Sequence, residues 1–120
     1  GTGKGIAIYK FDTSNGSAKY LKTIPQSECG ANPSALHVNN KSNVLYTTNE
    51  YGYQSMITGL QFDPDNNFQV TRQFTQDALG NECCFLSSDW GHNLLYVANY
   101  GADARPSAGV FKIDPVSHYL

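Results

Sequence analysis

The feature that most constrains this chain is a repeat. Lys10-Phe11-Asp12-Thr13, Gln61-Phe62-Asp63-Pro64 and Lys112-Ile113-Asp114-Pro115 recur every 51 residues, each closing an apolar run with an aspartate at the head of a turn. Leu45-Tyr46-Thr47-Thr48-Asn49 returns as Leu95-Tyr96-Val97-Ala98-Asn99 at a spacing of 50, and Pro33-Ser34-Ala35-Leu36 is answered by Cys83-Cys84-Phe85-Leu86 at the same spacing. Anchors that keep one period and drift by a single residue describe a chain of repeated units. Such units stack on their neighbours, because each alone leaves an apolar face uncovered.

Within the period the signal is β. No window keeps apolar residues at i, i+3, i+4 and i+7 for three turns, while β-branched and aromatic residues recur in short runs between Gly, Pro, Asn and Asp clusters. The pattern predicts strands at 5–11, 18–24, 34–39, 43–49, 55–62, 68–74, 84–88, 94–99 and 108–113, with helix a minor component. Thr13-Ser14-Asn15-Gly16, Asn39-Asn40-Lys41-Ser42, Asp63-Pro64-Asp65-Asn66-Asn67 and Asp89-Trp90-Gly91-His92 supply the turns. A period of about 50 residues holding four strands is the size of a β-propeller blade; leucine-rich and tetratricopeptide repeats are shorter. The expected fold is therefore all-β, a propeller of four-stranded antiparallel blades of which about two and a half are present. Residues 1–31 supply part of a first blade, 32–81 a second, and 82–120 part of a third.

Composition removes several function classes. Eight Lys and Arg stand against 10 Asp and Glu for a net charge of -2, with no basic run, so nucleic acid and acidic membrane surfaces are not expected partners. The longest apolar stretch, Leu94–Ala98, is far below the roughly 20 residues that span a bilayer. Cys29, Cys83 and Cys84 lack the C-x-x-C pairing of a thiolate metal site, so no metal is expected. Two alternatives remain for them: a bridge from Cys29 to Cys83 or Cys84, or buried free thiols. Asn15 and Asn40 begin Asn-x-Ser sequons, which matter only in a secreted protein.

The ordered series Gly1-Thr2, Gly5-Ile6-Ala7-Ile8-Tyr9-Lys10-Phe11-Asp12, Asn32-Pro33-Ser34-Ala35-Leu36, Leu45-Tyr46-Thr47-Thr48-Asn49-Glu50 and Leu95-Tyr96-Val97-Ala98-Asn99-Tyr100 resembles the lactonase-family propellers. That family includes bacterial-type 6-phosphogluconolactonase and the fungal 3-carboxy-cis,cis-muconate lactonizing enzyme. The resemblance runs along essentially the whole chain. It implies a seven-bladed ring, of which this segment would be the N-terminal third, completed by the remaining blades. It also implies a small-molecule lactone as substrate, no cofactor, and an intracellular location, against which the two sequons and a Cys29 bridge would point outward.

Strand ends and their loops surround a propeller's channel mouth, so polar residues there can converge on a ligand. The expected substrate-binding residues are Asn32, Ser34, Asn49, Asn99 and Tyr100, with Glu50 as a general base on water. Asn49 and Asn99 have a structural alternative, capping turns through side-chain to backbone hydrogen bonds. The third-blade motif of the family resembles Gly-Pro-Cys-His, whose histidine is among its proposed catalytic residues. Here Cys84 keeps the cysteine and Phe85 takes the place of the histidine, and phenylalanine transfers no proton. Arg72 and Arg105 do not match the family's channel arginines. His37 should face core or channel, His92 and His118 should be solvated, and Trp90 should pack on a blade edge. Two functions follow as alternatives: an enzyme that hydrolyses or forms a sugar-acid or carboxymuconate lactone, or a non-catalytic binding or structural relative. The 120-residue segment by itself is expected to be inactive, since most of the channel wall lies outside it.

Overall fold

A computed structural model describes residues 4–101 and 105–120; Gly1 and Thr2 of the resemblance series lie outside them. The described strands form three antiparallel sheets in chain order. The first pairs β1 (Gly5–Phe11) with β2 (Ala18–Pro25). The second is a four-stranded meander of β3 (Pro33–Asn39), β4 (Val44–Asn49), β5 (Met56–Asp63) and β6 (Gln69–Asp77). The third holds β7 (Cys83–Asp89), β8 (Leu94–Asn99) and β9 (Ala108–Lys112) in the same order. The fold is an arc of a β-propeller, and the repeat is visible in the pairing itself: Tyr46 opposes Gly59 as Tyr96 opposes Val110. A four-residue helix, α1 (Gln26–Cys29), links the first sheet to the second. No described helix is long and apolar enough to cross a membrane.

The aspartates that head the turns act by accepting backbone N–H groups two and three residues on. Asp114 Oδ1 takes the amides of Val116 and Ser117 at 3.0 and 2.6 Å, and Asp63 Oδ1 takes those of Asp65 and Asn66 at 3.0 and 3.3 Å. Asp12 takes the hydroxyl and amide of Ser14 at 2.6 and 2.9 Å, and these bonds hold its carboxyl below the usual range. At the end of the inner strand, Asp89 accepts from Gly91 and His92 where Asn39, one period earlier, accepts from Lys41. At Asp12, Asn39, Asp63 and Asp89 the short polar side chain thus closes a hairpin that fixes strand register, and Asp114 builds the same kind of turn after β9.

Two apolar cores separate the three sheets. Strand β4 is buried along its whole length because both faces are covered. Its Leu45 packs with Ile6, Ile24, Cys29 and Leu60 toward the first sheet. Its Val44 and Tyr46 turn the other way, onto Cys83, Leu86, Leu95, Val97 and Phe111 of the third. Trp90 packs at the edge of this second core, as the sequence suggests, stacked on His37 at 5.2 Å between ring centroids. The Tyr46 hydroxyl donates to the His118 carbonyl at 2.9 Å, which brings His118 into partial burial rather than the solvated position expected.

Candidate functional site

One end of the inner strands carries a polar cavity of about 380 Å³, lined by Asn32, Pro33, Ser34, Glu50, Tyr51, Gly52 and Glu82. Three chain segments build it: the lead into β3, the loop leaving β4 and the lead into β7. They are tied by backbone bonds that repeat from blade to blade. Glu50 N donates to Asn32 O at 3.1 Å, Tyr100 N donates to Glu82 O at 3.0 Å one blade on, and Glu82 N donates to Tyr51 O at 2.8 Å between the two. Asn32 and Glu82, also one period apart, both sit in the left-handed region at φ 50, a conformation that non-glycine residues hold only when their surroundings impose it.

A register shift opens the inner strand of both complete pairs at this end, between Pro33 and Leu36 in β3 and between Cys83 and Phe85 in β7. Such bulges re-aim side chains. Here the shift turns Ser34 to the cavity, with its hydroxyl sharing a hydrogen bond with Thr48 Oγ1 at 2.8 Å and reaching the Cys83 carbonyl at 3.3 Å. Asn32 Nδ2 reaches the Glu50 carbonyl at 3.4 Å. The Glu50 and Glu82 side chains are half-buried and make no hydrogen bond or ion pair with any described residue. They are the groups left available to a ligand.

Of the residues expected from sequence, the cavity therefore gathers Asn32, Ser34 and Glu50, but not Asn49, Asn99 or Tyr100. Asn49 lies behind the rim, 2% exposed. Its Nδ2 donates to the carbonyls of Cys29 and Ala31 at 2.9 and 3.0 Å, and its Oδ1 accepts from Thr58 Oγ1 at 2.6 Å. Asn99 repeats the role in part, donating to the Ala78 carbonyl ahead of β7 at 3.2 Å and to the Pro106 carbonyl ahead of β9 at 3.1 Å. Both asparagines thus hold the segment that precedes an inner strand, Asn49 through two bonds and Asn99 through one. Tyr100 points to solvent at 81% exposure. Glu82 was missed by sequence reading, although its 50-residue offset from Asn32 is a signal that could have found it.

The cysteine bridge does not form. All three thiols are free: Cys29 and Cys83 are buried in different cores with sheet two between them, and Cys84 is exposed. Burial pushes the thiols of Cys29 and Cys83 upward, which makes them poor nucleophiles. Phe85 is 61% exposed and lies outside the cavity lining. His37 joins blades instead of facing the cavity, sharing a 2.7 Å hydrogen bond with Ser88 Oγ. Exposed His92 is held to Asp89 at 2.7 Å. Arg105 pairs with Asp77 at 3.0 Å, and Arg72 donates to the Ser117 carbonyl at 3.1 Å. The sequon residues Asn15 and Asn40 are exposed on turns. Among the described residues, no cluster of three or more His, Cys, Asp or Glu could hold a metal ion.

Antiparallel sheets of two, four and three described strands, stacked through their faces and carrying a carboxylate-lined cavity at the inner-strand ends, define an arc of a β-propeller with a polar cavity at one end. The sequence model of the family described as lactonase, 7-bladed beta-propeller, matches residues 1–117, and the chain belongs to that family. Its structure is similar to that of a candidate 6-phosphogluconolactonase from Bacteroides fragilis NCTC 9343, with a TM-score of 0.79 and 24% identity. The match covers 100% of this chain and 31% of that one, so the segment spans about a third of its structural relative. No curated protein matches the chain.

Proposed function

We propose that the protein is a lactonase-type enzyme, hydrolysing or forming a sugar-acid or carboxymuconate lactone. The observation that carries this reading is Glu50, a half-buried carboxylate without a hydrogen-bond or ion-pair partner among the described residues, beside Asn32 and Ser34 in the cavity of a lactonase-family propeller. In the hydrolytic direction Glu50 takes a proton from water as the oxygen adds to the lactone carbonyl. The tetrahedral adduct then collapses, the ring C–O bond breaks, and the departing alkoxide recovers the proton from Glu50. The amide of Asn32 and the hydroxyl of Ser34 supply polar contacts that orient the ring.

Phe85 supports a second reading, a non-catalytic binding or structural relative, because it stands where the family has a histidine and lies outside the cavity. Assaying lactone opening by the seven-bladed protein and its Phe85→His variant separates the two. Turnover by the parent that falls about a hundredfold or more in Glu50→Gln supports the enzyme reading; no turnover by either parent or Phe85→His sinks it. The protein partner proposed is a further blade against the open face of the third sheet. There Tyr96 is 37% exposed, whereas Tyr46, its equivalent one blade earlier, is fully buried.

A further inference from the structure

We infer that Glu82 is a specificity-determining residue that accepts hydrogen bonds from ring hydroxyls, so that this sector of the cavity takes the uncharged, hydroxylated side of the substrate and turns away its anionic group. The inference rests on the lactonase reading of the same cavity. Four observations lead to it. Glu82 shares the cavity with Glu50, Asn32 and Ser34. Its backbone is fixed on both sides, by the 2.8 Å bond to Tyr51 and the 3.0 Å bond from Tyr100, in a left-handed conformation at φ 50. Its carboxylate has no bond to any described residue, so the fixed backbone presents an unsatisfied acceptor to the cavity. No described lysine or arginine lines the space.

The chemistry then narrows the choice. An ionised carboxylate only accepts hydrogen bonds, and a lactone's carbonyl and ring oxygens also only accept, so the hydroxyls are the substrate groups Glu82 can hold. With Glu50 engaged on water, Glu82 is the carboxylate left for recognition. A phosphate or carboxylate of the substrate placed in this sector would meet two like charges and no cation, which is strongly unfavourable in a partly desolvated site. A half-buried acceptor built for a hydroxyl also discriminates against an analogue that lacks it, because the acceptor then loses its partner.

The test measures kcat and KM for glucono-δ-lactone, its 6-phosphate and δ-valerolactone, which has no hydroxyls, using the seven-bladed protein and its Glu82→Gln variant. The expected result is a KM for gluconolactone about tenfold higher in the variant with kcat little changed, and no change for δ-valerolactone. The ratio of kcat/KM for the phosphorylated over the neutral lactone should rise as the like charge is removed. An unchanged KM for gluconolactone, or an equal loss for δ-valerolactone, would overturn the inference while leaving the lactonase reading intact. Should the parent turn over no lactone, that reading fails and calorimetric binding of gluconolactone decides this one. Binding weakened about tenfold by Glu82→Gln upholds a hydroxyl-recognising site, and no binding, or binding unchanged by the variant, rejects it.

Discussion

The amide of Asn49 lies directly over Gly30: a Cβ added to that glycine would come within 2.5 Å of Nδ2. Asn99 covers Gly80 in the same way one blade later. The clamp needs both members, since only a residue without a side chain lets the asparagine reach the carbonyls on either side of it. Gly30 also sits at φ 75, which a side chain would strain. Gly30→Ala should therefore cost about 2 kcal/mol or more, and Asn49→Ala about 2–4 kcal/mol through three lost bonds and the unpaired buried groups they leave. Urea unfolding of the two variants and of the double variant checks this. The double variant should lose much less than the sum of the singles, because both remove one clamp.

Burial holds His37 below the ordinary imidazole value, so it stays neutral where it stacks on Trp90 and meets Ser88. A base with a depressed folded pKa binds its proton more readily when unfolded. The stability it contributes is complete above about pH 6.5, the unfolded value, and is lost as pH falls toward the depressed folded value. Melting temperatures measured from pH 7.5 down to pH 5 should fall faster for the parent than for His37→Gln. Parallel curves would refute a role for His37 in joining the second and third sheets.

The three thiols should react in two classes. Cys84 is exposed, whereas Cys29 and Cys83 are buried with thiols shifted upward. A thiol-specific reagent should modify one cysteine of the folded protein rapidly and the other two only on unfolding, with mass mapping placing the fast adduct on Cys84. Rapid labelling of Cys29 or Cys83 would mean that the core between the sheets opens readily.

Much of this arrangement is legible in the sequence, and the reasons are local. Asp12, Asp63 and Asp114 announce turns because their side chains bond the backbone two residues on, an interaction confined to neighbours. The repeat places the strands because a shared period demands a shared register. What escapes is long-range direction. Asn49 ends a strand at the mouth, yet whether its amide turns outward to a ligand or back to Cys29 and Ala31 depends on a connection 18 to 20 residues earlier. Glu82 stands one 50-residue period after Asn32, but Leu79-Gly80-Asn81-Glu82 resembles Cys29-Gly30-Ala31-Asn32 only at the glycine, so the offset alone marks its position and the residue types do not.

Tyr46 should ionise only under strongly alkaline conditions, since burial pushes its pKa up to about 12. A phenol whose folded pKa exceeds the unfolded value of about 10 contributes stability that is complete below pH 10 and is lost as pH rises toward 12. Tyr46→Phe removes that alkaline loss, and it also leaves the His118 carbonyl without its donor at a cost of about 1–2 kcal/mol at neutral pH. Unfolding followed at pH 7 and pH 11 separates these two effects.

The equivalence of Tyr46 and Tyr96 yields the sharpest test of the open face. Both oppose the third strand of their sheet at the same register, yet one is fully buried and the other 37% exposed. In the 120-residue segment, Tyr46→Ala should cost about 3–5 kcal/mol, the usual loss for a large buried ring, and Tyr96→Ala about 1 kcal/mol or less. When the adjoining blade is supplied on the same chain, the cost at Tyr96 should climb toward that at Tyr46 while the cost at Tyr46 stays put. A Tyr96 penalty that remains small in the seven-bladed protein would show that the face is not covered by a blade packed as the third sheet packs on the second.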